Sequence, residues 1–99
     1  MNLPSSHSAG PRFRPGRIFI TPSALAVLQK SDLSILDLLL RHLRGDWGDI
    51  SDEDRKQNDL SVIAGLRLLS SYPLPGGGKV WLITERDRSG TTILLPGDY

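Results

Sequence analysis

Apolar residues recur with a helical period in the first two thirds of the chain and alternate with polar residues in the last third. Leu36, Leu39, Leu40 and Leu43 fall at i, i+3, i+4 and i+7, which predicts a helix with these leucines on its core face. Ser34 has the side chain that a helix N-cap requires, so the helix is expected to begin directly after it.

Two further helices are predicted, one on each side of the leucine-rich helix. Thr21 followed by Pro22 marks the start of the first, because threonine is a good N-cap and proline at the first helical position loses no hydrogen bond. Ser51 and the acids after it mark the start of the third, since negative charge suits a helix N-terminus. The buried side of this third helix is expected to carry Leu60, Ile63 and Ala64.

After Gly65 the period of the pattern changes from 3.6 to 2. The runs 66–72, 79–86 and 91–95 are rich in β-forming residues, and turn-forming segments separate them. Their order predicts a three-stranded antiparallel meander, to which residues 17–20 are a candidate short extra strand.

Alternation in the middle run predicts how the layers stack. It places Val80 and Leu82 on one face of the sheet and Trp81 and Ile83 on the other. Both faces therefore carry apolar residues, which favours a central strand with helices over one face. The predicted fold class is α+β, with about three N-terminal helices packed on a C-terminal sheet.

Length and composition predict one small domain. Of the 99 residues, 17–99 are expected to form a single α+β domain, and residues 1–16, rich in proline, glycine and serine, a disordered basic arm. The absence of cysteine excludes disulfides and thiolate chemistry. No segment has the length and apolarity of a membrane span, so no membrane association and a cytoplasmic location are expected.

The polar segment 41–59 is the densest cluster of candidate chemistry. His42 and Asp46, one turn apart, have the residue types of a general base or a metal ligand, but a partly buried structural histidine is the competing interpretation. Trp47 between two glycines is either an exposed contact for a partner or a plug over the helices. The acids lack the spacing of a calcium loop, so no metal or cofactor is predicted.

Four segments of the chain resemble a family of small bacterial proteins carried by plasmids and other mobile elements: ITPSAL, RHLRGDWG, GLRLLSSY and KVWLITERDRSGTTILLPGDY. The resemblance spans about residues 19–99 and implies no activity or catalytic residue. It implies a shared polar surface where the corner between the second and third helices meets a strand end. With the neighbouring acid included, that predicted binding surface comprises Arg41, His42, Asp46, Trp47, Asp49, Asp54, Asn58, Glu85, Asp87 and Arg88.

Three functional hypotheses follow. The first is an accessory protein of a mobile element that binds an unidentified protein, such as a component of a host restriction or CRISPR defence system. The second is a nucleic-acid-binding protein, which a net charge of +1 disfavours. Its contacts would come from Arg12, Arg14, Arg17, Arg41 and Arg44. The third is a small hydrolase or nuclease that uses His42, Asp46 and Glu85; a single histidine in the fold without a recognisable nucleophile disfavours it. The sequence does not predict an oligomeric state.

Overall fold

The computed structural model describes residues 10–99, which form three helices and a four-stranded sheet. In chain order the elements are β1 (Arg17–Ile20), α1 (Pro22–Ser31), α2 (Ile35–Leu43), α3 (Asp52–Ala64), β2 (Leu68–Pro73), β3 (Lys79–Thr84), β4 (Gly90–Leu94) and a 3₁₀ turn (Pro96–Asp98).

The predicted helix starts are confirmed by their capping hydrogen bonds. The side chains of Thr21, Ser34 and Ser51 each accept a bond from the backbone N–H three residues later, at 3.2, 3.1 and 3.1 Å. At the end of α2, Gly45 has a φ of 83°. Its N–H donates to the carbonyl of His42, and the next N–H donates to that of Arg41, which satisfies two free carbonyls of the helix.

The sheet corrects the predicted three-stranded antiparallel meander. The sheet is mixed and its strand order is β1-β4-β3-β2, with β1 parallel to β4 and the other pairs antiparallel. The α+β class stands, but residues 17–20 form a full fourth strand. The alternating pattern specifies which residues share a face, and it carries no information on which edge a distant strand joins or in which direction.

The registers divide the strand residues into two faces. On the covered face, Tyr72, Val80, Leu82 and Ile93 join the hydrophobic core with residues of α1 and α2. Among the described residues, those of the opposite face, called the open face below, do not belong to that core cluster, although Ile83 and Leu94 on it are only 5% and 6% exposed. Its apolar floor consists of Leu69, Trp81, Ile83 and Leu94.

The third helix lies along the outer edge of β2 and not over a face. Asn58 donates to the carbonyl of Leu69 at 2.7 Å and accepts from its N–H at 3.2 Å. The predicted core side of α3 is therefore wrong: Leu60 and Ile63 are 53% and 86% exposed, whereas Asn58 and Ser61 are buried. Leu36 of α2, also predicted in the core, is 61% exposed.

Residues 10–16 pack against the domain, although the sequence placed them in a disordered arm. The N–H of Arg12 donates to the carbonyl of Leu43 at 2.8 Å, and the Thr91 hydroxyl donates to the carbonyl of Pro15 at 2.7 Å. Phe13 lies against His42 with ring centroids 5.1 Å apart. The prediction of an arm fails for these residues, and its remainder lies outside the described part of the chain.

Candidate functional site

His42 is fully buried at the centre of a chain of hydrogen bonds. Its Nδ1 lies 2.5 Å from the hydroxyl of Ser70 and its Nε2 lies 2.8 Å from that of Thr84. The Thr84 hydroxyl is in turn 2.7 Å from the hydroxyl of Thr91, which donates to the carbonyl of Pro15. This chain of hydrogen bonds thus joins helix α2, the three strands β2, β3 and β4, and the segment before β1.

The carbonyl at the end of this chain fixes the direction of the bonds as far as the imidazole. A carbonyl only accepts, so Thr91 donates to Pro15, Thr84 donates to Thr91, and Thr84 accepts from Nε2–H of His42. Burial, with the charge of Arg88 as a smaller cause, lowers the pKa of His42 to about 3. The imidazole is therefore neutral near pH 7, and its Nδ1 accepts from the Ser70 hydroxyl.

Trp47 is a plug and not an exposed contact. It is 1% exposed, stacks on Phe13 at 6.1 Å, and meets His42 edge to face at 5.8 Å. Its indole N–H donates to the carboxylate of Asp59 at 3.1 Å. The loop around it also pairs with the edge of β2, since the N–H of Ser71 donates to the Trp47 carbonyl. Trp47 therefore belongs to the structural interior.

The charged pair at the end of α2 is satisfied within the chain. Nε of Arg41 lies 2.7 Å from a carboxylate oxygen of Asp46, and its guanidinium stacks over the ring of Tyr72. The Tyr72 hydroxyl donates to the backbone carbonyl of Asp46 at 2.7 Å. The hydrogen bond from Arg41 holds the pKa of Asp46 below its usual range. Both charged side chains remain half-exposed.

The predicted strand-end residues fold back onto the chain. Arg88 donates to the carbonyls of Ser61 and Leu66 at 2.8 and 2.6 Å, which clamps the end of α3. Asp87 accepts from the N–H of Ser89 within the β3–β4 turn. Glu85 is exposed beside that turn.

Members of the predicted polar surface lie in different environments. His42, Trp47 and Asn58 are buried and bonded inside the domain. Asp49, Asp54 and Glu85 are exposed, Arg41 pairs with Asp46, and the Arg88 guanidinium lies 5.7 Å from the ring of Phe13, which also contacts His42 and Trp47.

Two members of the hydrolase site proposed from sequence are engaged in other bonds. Both ring nitrogens of His42 are bonded to hydroxyls, and Asp46 is paired with Arg41. Residues 10–99 contain no group of three or more histidine, aspartate or glutamate side chains that could hold a metal ion. The same residues contain no helix long and apolar enough to cross a membrane.

The arginines proposed for nucleic acid do not form one basic patch. Arg12 pairs with Asp59 at 3.4 Å, and Arg41 pairs with Asp46, which neutralises two of the five. Arg14, Arg17 and Arg44 are exposed. Arg17 shares the open face with Phe19, and the others lie elsewhere in the chain.

The open face contains a cavity of about 340 Å³ that the sequence did not single out. Its floor is made by Leu69, Trp81 and Ile83. Its rim adds polar side chains from α3 and two residues outside the helices: Asp54, Gln57, Asn58, Arg67 and Tyr99. Its mixture of apolar floor and polar rim is typical of binding sites.

Tyr99 and Arg67 form one wall of this cavity. The Tyr99 ring meets Trp81 edge to face, with centroids 6.1 Å apart and planes at 76°. Arg67 donates to the Tyr99 hydroxyl at 2.6 Å, and its guanidinium lies 5.4 Å from the ring centroid. Tyr99 is 72% exposed, so much of its ring is available to a ligand. The alternation that puts Trp81 and Ile83 on one face was the sequence signal for this site.

Comparison of the chain with protein-family models, with curated proteins and with solved structures gave no match.

Proposed function

We propose that this is a binding protein that holds an apolar segment of another protein on the open face of its sheet. The observation that carries the proposal is the cavity between Trp81, Tyr99 and α3, on the face that α1 and α2 leave free. Partly exposed aromatic side chains beside an arginine are the residue types that dominate protein–protein interfaces.

Exposed apolar residues of α3 support a protein partner over a small molecule. Leu60 follows Gln57 of the cavity rim by three residues, so the two are neighbours on the helix surface. Leu60 and Ile63 are both more than half exposed, so α3 presents apolar side chains to solvent. Leu60, beside the cavity rim, adds an apolar side chain to the surface offered to a partner.

The biological setting in this proposal comes from the motif resemblance. A small protein of a plasmid or other mobile element, acting in the cytoplasm, would use this surface to bind a host protein. Proteins of restriction or CRISPR defence are the partners that we expect first. The proposed binding surface replaces the polar corner around Arg41 and Asp46.

The test is an affinity capture from the bacterial host with mass spectrometry of the bound proteins. We expect a stoichiometric partner with the wild-type chain, and its loss with Tyr99→Ala or Gln57→Arg, which remove a wall or fill the cavity. Leu36→Ala is the matched control, because Leu36 is similarly exposed but lies on α2. Equal capture by all four chains would refute the open face as the binding surface.

Single-stranded nucleic acid is a second candidate, for one specific reason. Arg17, Phe19 and Lys79 share the open face with Trp81, and aromatic residues flanked by cations can stack bases. The negative charge of Asp54, which repels phosphate groups, and the apolar floor of the cavity favour a protein partner over nucleic acid. Binding of a labelled oligonucleotide that weakens steeply with salt, and that Phe19→Ala abolishes, would support this candidate.

A further inference from the structure

The two outer strands of the sheet differ in how their free edges are treated. Asn58 bonds both backbone groups of Leu69, and the loop 47–49 bonds both backbone groups of Ser71, so the edge of β2 is capped. At the other end of the strand order, β1 has no strand beyond it among the described residues. An uncapped edge is a template for pairing with another strand.

The hydrogen bonds of β1 show which of its backbone groups face outward. The N–H groups of Arg17 and Thr21 donate to carbonyls of the β4 side, each at 3.0 Å. Because bonding alternates along a strand, the N–H and C=O groups of Ile18 and Ile20 point away from the sheet. Ile18 and Phe19 are 44% and 49% exposed.

The segment before β1 leaves this edge free. Residues 12–15 cross the covered side of the sheet, bonded to Leu43 and Thr91. Gly16 lies so close to the β3–β4 turn that a Cβ atom there would be 2.4 Å from the carbonyl oxygen of Arg88. The described chain therefore reaches β1 from the covered face of the sheet, past the β3–β4 turn. It does not run along the outer edge of β1.

We infer that β1 pairs with β1 of a second copy of this chain, in an antiparallel arrangement centred on Phe19. The sequence Ile18-Phe19-Ile20 reads the same in both directions. Ile18 of one copy then lies opposite Ile20 of the other, and both residues carry the outward backbone groups that such a pair needs. Two symmetric pairs of this kind give four hydrogen bonds.

Side chains also fit this register. Phe19 meets Phe19 of the second copy on the two-fold axis, at the closer, non-hydrogen-bonded position where aromatic pairs stabilise a sheet. Arg17 lies opposite Thr21, so like charges are not opposed. A parallel or shifted register loses the match between the outward groups or between the apolar side chains.

Capping of β2 explains why pairing stops at two copies. In the dimer the two β1 edges pair with each other and are no longer free. The outermost strands of the joined sheet are then the two β2 strands, whose edges are capped. The result is a closed, two-fold dimer with eight strands and not a fibre. Only residues 17–21, five per chain, take part in the pairing, so the interface is small and a dissociation constant of about micromolar or weaker is expected.

A charge-exchange experiment on the full chain tests the dimer and its register together. Wild type should change from its monomer mass of 10.9 kDa to twice that value between micromolar and millimolar concentration in sedimentation or light scattering. Phe19→Glu and Phe19→Lys should each remain monomeric, because like charges then meet on the axis. An equimolar mixture of the two should dimerise again.

Controls and outcomes separate this inference from misfolding and from the proposed partner binding. Circular dichroism should show that both variants are folded, and Leu36→Glu, at an exposed site on α2, should dimerise like wild type. A monomeric wild type at millimolar concentration overturns the inference. So does a dimer that persists in Phe19→Glu, or a mixture that stays monomeric. None of these outcomes depends on capture of another protein.

Discussion

On the covered face of the sheet, polar side chains are buried and bonded to one another, whereas on the open face the aromatic side chains of Trp81 and Tyr99 keep part of their surface exposed. His42, Ser70 and Thr84 occupy the first region. Both ring nitrogens of His42 are bonded to the two hydroxyls, so the imidazole has no nitrogen free to bind a ligand. Trp81 and Tyr99 occupy the second region, where their rings contact each other and Arg67 donates a hydrogen bond to the Tyr99 hydroxyl. Residues with the most reactive side chains thus stabilise the fold, and less reactive residues form the surface that we propose for binding.

The largest effect that this comparison predicts is a loss of stability in mild acid. The unfolded chain protonates His42 near pH 6.5, but the folded chain resists protonation down to about pH 3. The stabilising contribution is therefore complete above pH 6.5 and decreases as the pH falls towards 3. The free energy of unfolding should drop by about 1.4 kcal/mol per pH unit below pH 6, up to about 5 kcal/mol in total.

Urea unfolding between pH 7 and about 4.5 measures this slope before the aspartates, with their lower pKa values, contribute. In His42→Gln the slope attributed to His42 should disappear over this range, because the buried imidazole that causes it is absent. A wild-type slope equal to that of His42→Gln would contradict the buried neutral imidazole.

The next largest effect is expected from Trp47→Ala. Removing this buried side chain empties the space beside Phe13 and His42 and should cost about 3–5 kcal/mol of unfolding free energy. Trp47→Phe should cost less, because it keeps the aromatic packing and loses only the bond to Asp59. If Trp47→Ala kept wild-type stability but lost a protein partner, the covered region would be a binding surface after all.

A smaller cost is expected at the edge of β2. Asn58→Ala leaves the N–H and C=O of Leu69 without their side-chain partner and should destabilise the domain by about 1–3 kcal/mol. Gln57→Ala is the matched control on the same helix and should change stability by no more than about 0.5 kcal/mol. Equal unfolding midpoints for the two variants would show that the edge cap contributes nothing.

The smallest effect on stability is expected on the open face. Tyr99→Ala removes an exposed ring, so its unfolding free energy should lie within about 0.5 kcal/mol of wild type. Capture of the protein partner should nevertheless be lost. A variant that is strongly destabilised, or one that captures the partner normally, would remove Tyr99 from the proposed binding surface.

The errors of the sequence-based prediction have a common physical cause. Leu60 and Ile63 were expected in the core because apolar periodicity assumes that a helix packs on a face. The edge of a strand instead presents backbone N–H and C=O groups, which require a polar partner, and Asn58 supplies it. Helix starts were predictable because Thr21, Ser34 and Ser51 act through their own local backbone.

The candidate site shows the same division between local and long-range information. The placement of Trp81 and Ile83 on one face followed from alternation alone. The cavity wall formed by Arg67 and Tyr99 did not follow from the sequence, because these residues are 32 positions apart and meet only in the folded chain. The pairing of β1 with β4 was equally inaccessible, since nothing in Arg17–Ile20 specifies a parallel neighbour.

The most direct test of the central claim is photo-crosslinking in the bacterial host with a benzophenone amino acid placed at one of two positions. Position 99 reports on the open face, and position 36 reports on the exposed side of α2 above the covered face. We predict a discrete crosslinked protein from position 99 and none from position 36. A crosslink from position 36 with none from position 99 would contradict the assignment of the open face as the binding surface.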